Sequence, residues 1–143
     1  MTQHSALFKA VMRIGTKVET WRFRRSGGTA TMGGHEQLLL TTVGRKSGKE
    51  HTTPLFFTRD GDRLIVIASF GGSDTHPAWY LNLRDRGEGW VELGTDKFRV
   101  TPTVLEGTER EEHWRAMAQF WPDYDKYTTK TTRRIPVVAL TRG

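Results

Sequence analysis

Five consecutive residues, Gly44-Arg45-Lys46-Ser47-Gly48, set two cations and a hydroxyl between two glycines. Glycine permits a tight bend that turns backbone N–H groups outward, so the segment could hold a phosphate or a carboxylate. It is not a Walker A loop, because the glycines are spaced differently and Lys49 is followed by Glu50 rather than Ser or Thr. An ordinary solvated hairpin turn uses the same residue types.

A second segment, Phe70-Gly71-Gly72-Ser73-Asp74-Thr75-His76-Pro77-Ala78-Trp79-Tyr80, runs from the end of an apolar stretch into what reads as the start of a helix. Such a start presents N–H groups to an anion or a polar ring edge. Trp79 and Tyr80 could wall an aromatic ligand or could fill core. In a third segment, Phe120-Trp121-Pro122-Asp123-Tyr124-Asp125-Lys126-Tyr127, the two tyrosines lie three apart and share a face if the segment is helical. A tyrosine hydroxyl there could orient an acceptor oxygen and donate a proton, or could simply pack. The five histidines, His4, His35, His51, His76 and His113, show no close metal-ligand pairing, and no metal site is expected.

The elements that must position these groups follow from periodicity. Leu7, Val11, Ile14, Val18 and Trp21 recur at spacings of four and three among Lys9, Arg13, Lys17, Arg22, Arg24 and Arg25, which predicts a basic amphipathic helix over residues 5–25. The glycine-rich stretch 26–34 reads as a flexible connector. Beyond it six strands are expected, at 37–43, 53–59, 63–69, 89–93, 97–105 and 135–140. Asp60-Gly61 signals a hairpin, and Pro102 argues for an edge or a bulge in its strand. Helices are expected from Pro77 to about Arg84, with proline in the first turn, and after Thr108, where Thr108 and Glu111 fit a capping box. Residues 122–132 read as a short helical or irregular segment. Connections this short favour an antiparallel barrel or curved sheet over a doubly wound fold.

The 143 residues suffice for one compact unit, read as an N-terminal helix and connector at 1–34 followed by a barrel at 35–143. The absence of cysteine excludes disulfides, thiolate catalysis and iron–sulfur clusters, and fits a reducing cytoplasm. The net charge of +6 calls for an anionic partner. Neither a membrane span nor a secretion signal is expected. No nucleic-acid motif accompanies the spread basic residues, so nucleic acid is not the expected partner.

Taken in order, LLLTTVGRKSGKEHTTPLFF, DGDRLIVIASFGGSDTHPAWYLNL and FWPDYDKYTTKTTRRIPVVAL resemble the deazaflavin-dependent nitroreductase family of actinobacteria, from about Thr20 to Leu140. The resemblance implies a mainly β fold with flanking helices, an FMN-binding-like split β-barrel. It also implies reduced coenzyme F420 as the cofactor and hydride transfer to a quinone, enone or nitroaromatic. Arg45, Lys46 and Ser47 would bind its phosphate and oligoglutamate tail, with His51, Thr52, Thr53, Pro54, Leu55 and Phe56 continuing along the cofactor. Ile67, Ala68, Ser69 and Phe70, then Ala78, Trp79, Tyr80, Leu81 and Asn82, would border the ring and linker. Tyr124 would also touch the cofactor, and Tyr124, Tyr127 and Ser69 would be the catalytic residues.

This chain departs from some relatives, which have arginine at the position of His51 and lysine at that of Phe70. Trp121 replaces a tyrosine of the nitroimidazole-activating member, so the acceptor pocket is expected to differ there. Alternative readings are a non-catalytic F420 carrier and an FMN-binding split barrel. The basic helix suggests peripheral attachment to an anionic inner membrane face, or packing on the barrel or a second subunit; a monomer or homodimer is expected.

Overall fold

The computed structural model describes residues 6–31 and 34–143, with side chains described from residue 15 onward; Ser5, the expected start of the first helix, lies outside the described residues. Helix α1 (Ala6–Arg25) precedes strands β1 (Gln37–Val43), β2 (Glu50–Phe56), β3 (Thr58–Asp60) and β4 (Arg63–Ile67). A 3-10 turn at Phe70–Gly72 and helix α2 (Ala78–Arg86) lead to β5 (Gly89–Leu93) and β6 (Asp96–Val104). Helices α3 (Gly107–Phe120) and α4 (Asp123–Tyr127) then lead to β7 (Val137–Arg142).

The strands form one sheet in the order β2-β1-β5-β6-β7-β4-β3, every neighbouring pair antiparallel. β2 and β3 are its two edges, yet only Phe57 separates them in sequence. In a flat sheet those edges would stand about 29 Å apart, six strand spacings. One residue cannot bridge that distance, so the sheet curls until its edges meet, which makes a split barrel. The six expected strands become seven for the same reason. The run 53–59 breaks at Phe57, whose side chain turns into the barrel core, and its first part extends back to Glu50 by pairing with Val43.

Alternation along the strands builds two cores. Leu38, Leu40, Leu64, Val66, Val91, Val100 and Leu140 point into the barrel, which Trp79, Tyr80 and Leu83 of α2 close. Ile65, Ile67, Val137 and Ala139 point outward and are covered by Met117 of α3 and Tyr124 of α4. β4 and β7 are therefore buried on both faces, and their sequences are nearly continuous apolar runs.

Several local expectations shift. Pro77 caps α2 in extended conformation rather than entering its first turn, and its carbonyl accepts the N–H of Tyr80 at 3.1 Å. α3 begins at Gly107 after Glu106, so Thr108 lies inside the helix and no side-chain capping bond forms. β7 starts at Val137 because Pro136 has no N–H to give the ladder; its carbonyl still accepts the Ala68 N–H at 2.9 Å, and the Ile135 carbonyl accepts Arg110. The hairpin at Gly61 is present, with φ 61°. Pro102 pairs with Leu140 of β7 at a point where β5 no longer flanks β6, so its missing N–H costs no second ladder.

The connector, expected to be flexible, is tied down in its described part. Ser26 Oγ accepts the N–H groups of Thr29 and Ala30, and the Gly28 N–H bonds Phe23 O at 2.9 Å. Gly28, at φ 83°, leaves no room for a Cβ against the Gly94 carbonyl. The end of α1 packs on the sheet through buried Phe23, an Arg24–Glu92 pair at 2.7 Å and a Gln37–Glu19 hydrogen bond.

Candidate functional site

The GRKSG segment is the β1–β2 hairpin turn. Its base is closed by Gly44 N–H to Lys49 O at 2.7 Å, and the Gly48 N–H bonds Gly44 O at 2.9 Å with Gly48 at φ 71°. A Cβ on Gly44 would overlap Ser47 Oγ, so any side chain there would displace the Ser47 hydroxyl from its place in the turn. Arg45, Lys46 and Ser47 are exposed. The last turns of α2 brace the hairpin: Asn82 Oδ1 accepts the Arg45 N–H at 3.0 Å, Arg45 lies 3.9 Å from Asp85, and Arg86 reaches the Gly44 carbonyl at 3.5 Å. Asn82 is itself 2% exposed, and its Nδ2 donates to Thr42 Oγ1 at 3.2 Å.

From this turn β2 advances about 20 Å over its seven residues. Thr52 lies beside Thr41, their hydroxyls 2.8 Å apart, and β2 ends at a cleft of about 210 Å³. Pro54, Leu55 and Phe56 form one side of the cleft, Ile67, Ser69 and Phe70 the floor, and Trp79 an end. Trp121, Tyr124 and Tyr127, from the α3–α4 region, complete the lining. Aromatic rings and a strand end thus line one cleft together with the hydroxyl-bearing Ser69, Tyr124 and Tyr127. Phe56 and Trp121 are in tilted contact at 5.0 Å, and the Tyr124 and Tyr127 rings meet edge to face at 6.0 Å.

Tyr124 is 6% exposed. Burial, with a smaller contribution from the neighbouring Tyr127, pushes its hydroxyl above the ordinary phenol range, so it holds its proton at physiological pH. It can donate a hydrogen bond but cannot act as an anion. α4 is held to α3 by Trp114 Nε1–H to Asp125 Oδ1 at 2.8 Å.

Of the residues expected at the site, Pro54, Leu55, Phe56, Ile67, Ser69, Phe70, Trp79, Tyr124 and Tyr127 line this one cleft. Arg45, Lys46, Ser47 and His51 lie at the far end of β2. Ala68 is fully buried, Tyr80 belongs to the barrel core and meets His76 in a tilted contact at 4.9 Å, and Leu81 packs against that core. Two features were not anticipated. His35 joins the aromatic side of the cleft, 4.8 Å from Phe120 and 6.3 Å from Trp121. Arg133 bonds the backbone beneath the cleft floor. Nothing in the sequence distinguishes either from other isolated polar residues.

Asp60, Glu109 and His113 come together as the one group of possible metal ligands among the described residues. Arg63 already lies between the two carboxylates, 2.6 Å from Glu109 and paired with Asp60. A resident cation thus occupies the place of a metal.

A family model described as F420H(2)-dependent quinone reductase matches residues 15–142. An F420H(2)-dependent quinone reductase of Mycobacterium tuberculosis is 35% identical over 113 residues, covering 77% of this chain and 76% of the relative. A solved F420-H2 dependent reductase is 37% identical with a TM-score of 0.65, covering 73% of this chain and 92% of its own. A further solved structure, described as a domain-swapped dimer, is 34% identical with a TM-score of 0.68, covering 87% of this chain and 95% of its own.

Proposed function

This chain belongs to the F420H(2)-dependent quinone reductase family, and from that premise we propose that it uses the cleft between β2 and α4 to reduce quinones, and beyond them enones and nitroaromatics. The observation that carries the placement is that one strand joins a basic turn to an aromatic cleft. A cofactor with a flat ring and a long anionic tail matches both ends. The cleft, at about 210 Å³, is smaller than the roughly 300–1,000 Å³ of pockets that enclose a whole ligand. It suits a ring, with the remainder lying along β2 past Thr53 and Thr52. The donor chemistry fits as well, since Arg45, Lys46 and Ser47 offer charge-assisted hydrogen bonds to phosphate and carboxylate.

Reduced coenzyme F420, when bound, supplies the hydride. The chain's own residues then bind, orient and exclude water. Lys46 and Arg45 hold the tail by charge. Phe56, Trp79 and Trp121 keep water from the reacting face, which strengthens every polar contact inside. The protonated Tyr124 hydroxyl donates to the acceptor oxygen as it gains electron density, with Tyr127 and Ser69 in the same cleft lining. Trp121 and Phe70 shape the acceptor side and so set which acceptors enter.

The test is to mix the purified protein with F420H2 and menadione and follow reoxidation of the cofactor. No binding and no turnover would sink the proposal. Tight binding without oxidation by any quinone or enone would instead make the protein a carrier.

A cytoplasmic protein touching the inner membrane face is the companion proposal. Among the described residues no helix is long and apolar enough to cross a membrane. Val18 and Trp21 of α1 are nonetheless 58% and 61% exposed, with the Arg25 guanidinium 5.4 Å from the Trp21 ring. An apolar stripe beside cations suits an anionic bilayer surface, which would bring lipid-soluble quinones near. Flotation with anionic liposomes should separate the native chain from a Val18→Ser, Trp21→Ser variant, and equal partitioning would reject attachment.

A further inference from the structure

Arg133 lies in the segment between α4 and β7, outside the cleft lining. Its guanidinium reaches four acceptors in a different part of the chain. Nε donates to Ser73 O at 2.9 Å, Nη2 to Ser69 O at 2.8 Å, and Nη1 to Ala68 O at 3.2 Å and to His76 Nδ1 at 2.8 Å. All four belong to residues 68–76, the stretch that leaves β4, forms the 3-10 turn and enters α2. Ser69 and Phe70 of that stretch floor the cleft.

The same stretch carries backbone strain. Phe70 has φ 46°, the single positive value for a residue other than glycine among the described residues. Left-handed backbone is unfavourable for a bulky side chain and persists only where the surroundings over-determine it. Here the surroundings are identifiable. Arg133 grips the carbonyls on both sides of Phe70, and Gly72, at φ 80°, is pressed against Tyr127 closely enough that a Cβ would stand 3.1 Å from the Tyr127 Cα and O. The floor is fastened to the tyrosine-bearing helix by a glycine and to the β7 lead-in by an arginine.

We infer that Arg133 is a positioning residue, whose planar fork sets the backbone of Ser69 and Phe70 and thereby the orientation of the ring bound above them. This rests on the ring placement proposed for the cleft. The geometry is specific to arginine. Four acceptors spread around one plane match a guanidinium, whereas a lysine ammonium keeps the charge on a single nitrogen with three donors. Because the guanidinium stays protonated, the nitrogen of His76 that faces it must be the bare acceptor. His76 is accordingly neutral with its proton on Nε2, consistent with a pKa lowered by burial and by Arg133.

The test uses Arg133→Lys in the full chain, with two readouts. In ligand-free protein, amide hydrogen exchange should rise over residues 69–76 while β1 and β5 keep their protection. In turnover with F420H2 and menadione, kcat should fall on the order of 10- to 100-fold, as misplacement of about 1 Å does, with the KM for F420H2 changing much less. Arg133→Met serves as a second variant and should show the same local exchange. An exchange increase spread evenly over all strands, or kinetics within twofold of the native protein, would make Arg133 a fold-stabilising residue only and overturn the inference. Should the native protein neither bind nor oxidise F420H2, the proposed ring placement fails, and the exchange readout alone decides whether Arg133 sets this backbone.

Discussion

Asn82 and Arg45, 37 positions apart, are joined by a 3.0 Å hydrogen bond from the Arg45 N–H to the Asn82 Oδ1, which ties the basic turn to the helix that closes the barrel. Both ends of the Asn82 amide are engaged inside the protein, since its Nδ2 donates to Thr42 Oγ1. Replacing Asn82 with Leu leaves the part-buried Arg45 N–H and the buried Thr42 hydroxyl without this partner. We expect a loss of about 1–3 kcal/mol in urea unfolding, together with weaker F420 binding as the basic turn loses its brace.

Lys46→Ala and Tyr124→Phe should separate the two ends of β2. The first should raise the Kd for F420H2 roughly tenfold, the worth of one charge-assisted hydrogen bond, and slow turnover chiefly at low cofactor. The second should lower kcat with menadione on the order of 100-fold and leave cofactor binding nearly as it was. Fluorescence titration and steady-state kinetics read both, and the reverse pattern would mean that the roles are exchanged.

Stability at alkaline pH should carry the signature of Tyr124. Its folded-state pKa lies above the ordinary value of 10.0. The folded protein therefore holds this proton more tightly than the unfolded chain does. The resulting stabilisation is fully present below that ordinary value and is lost as pH rises beyond it. Melting temperatures from pH 8 to 11 should fall less steeply above pH 10 in Tyr124→Phe than in the native chain.

Phe70→Gly sets backbone strain against apolar contact. Relief of the positive φ is worth about 1–2 kcal/mol, and loss of a half-buried ring costs a similar amount, so thermal stability should move by less than about 1 kcal/mol. The cleft floor loses its aromatic surface, and the KM for menadione should rise roughly tenfold for about 1.4 kcal/mol of lost contact.

Gly28→Ala should be costly although Gly28 sits in a surface connector. Its φ of 83° and the Gly94 carbonyl beside it leave no space for a methyl group. A loss of at least about 2 kcal/mol is expected, seen as a lower melting temperature and as faster cleavage of α1 by protease.

The sequence revealed whatever local chemistry determines. β1 and β5 fall where their apolar runs and bounding turn residues put them, and the Gly61 hairpin follows from its glycine. The corner at Phe57 was hidden, because nothing in TPLFFTR marks a break that only barrel closure requires. At the site, the cleft-lining residues came from three motifs in order. Asn82 was expected beside the cofactor, but its two hydrogen bonds are visible only in three dimensions. Arg133 was silent because three of its four partners are backbone carbonyls 60 to 65 positions away, which carry no side-chain signal, and the fourth, His76, lies 57 positions away.

The single residue between β2 and β3 has a consequence for solubility. An open seven-stranded sheet would offer two unpaired edges to other chains, the usual seed of strand-to-strand aggregation. Phe57 leashes those edges to each other, so near the corner neither can turn outward to accept a foreign strand. The corner beside the cleft thus also shortens the free edge that another chain could extend.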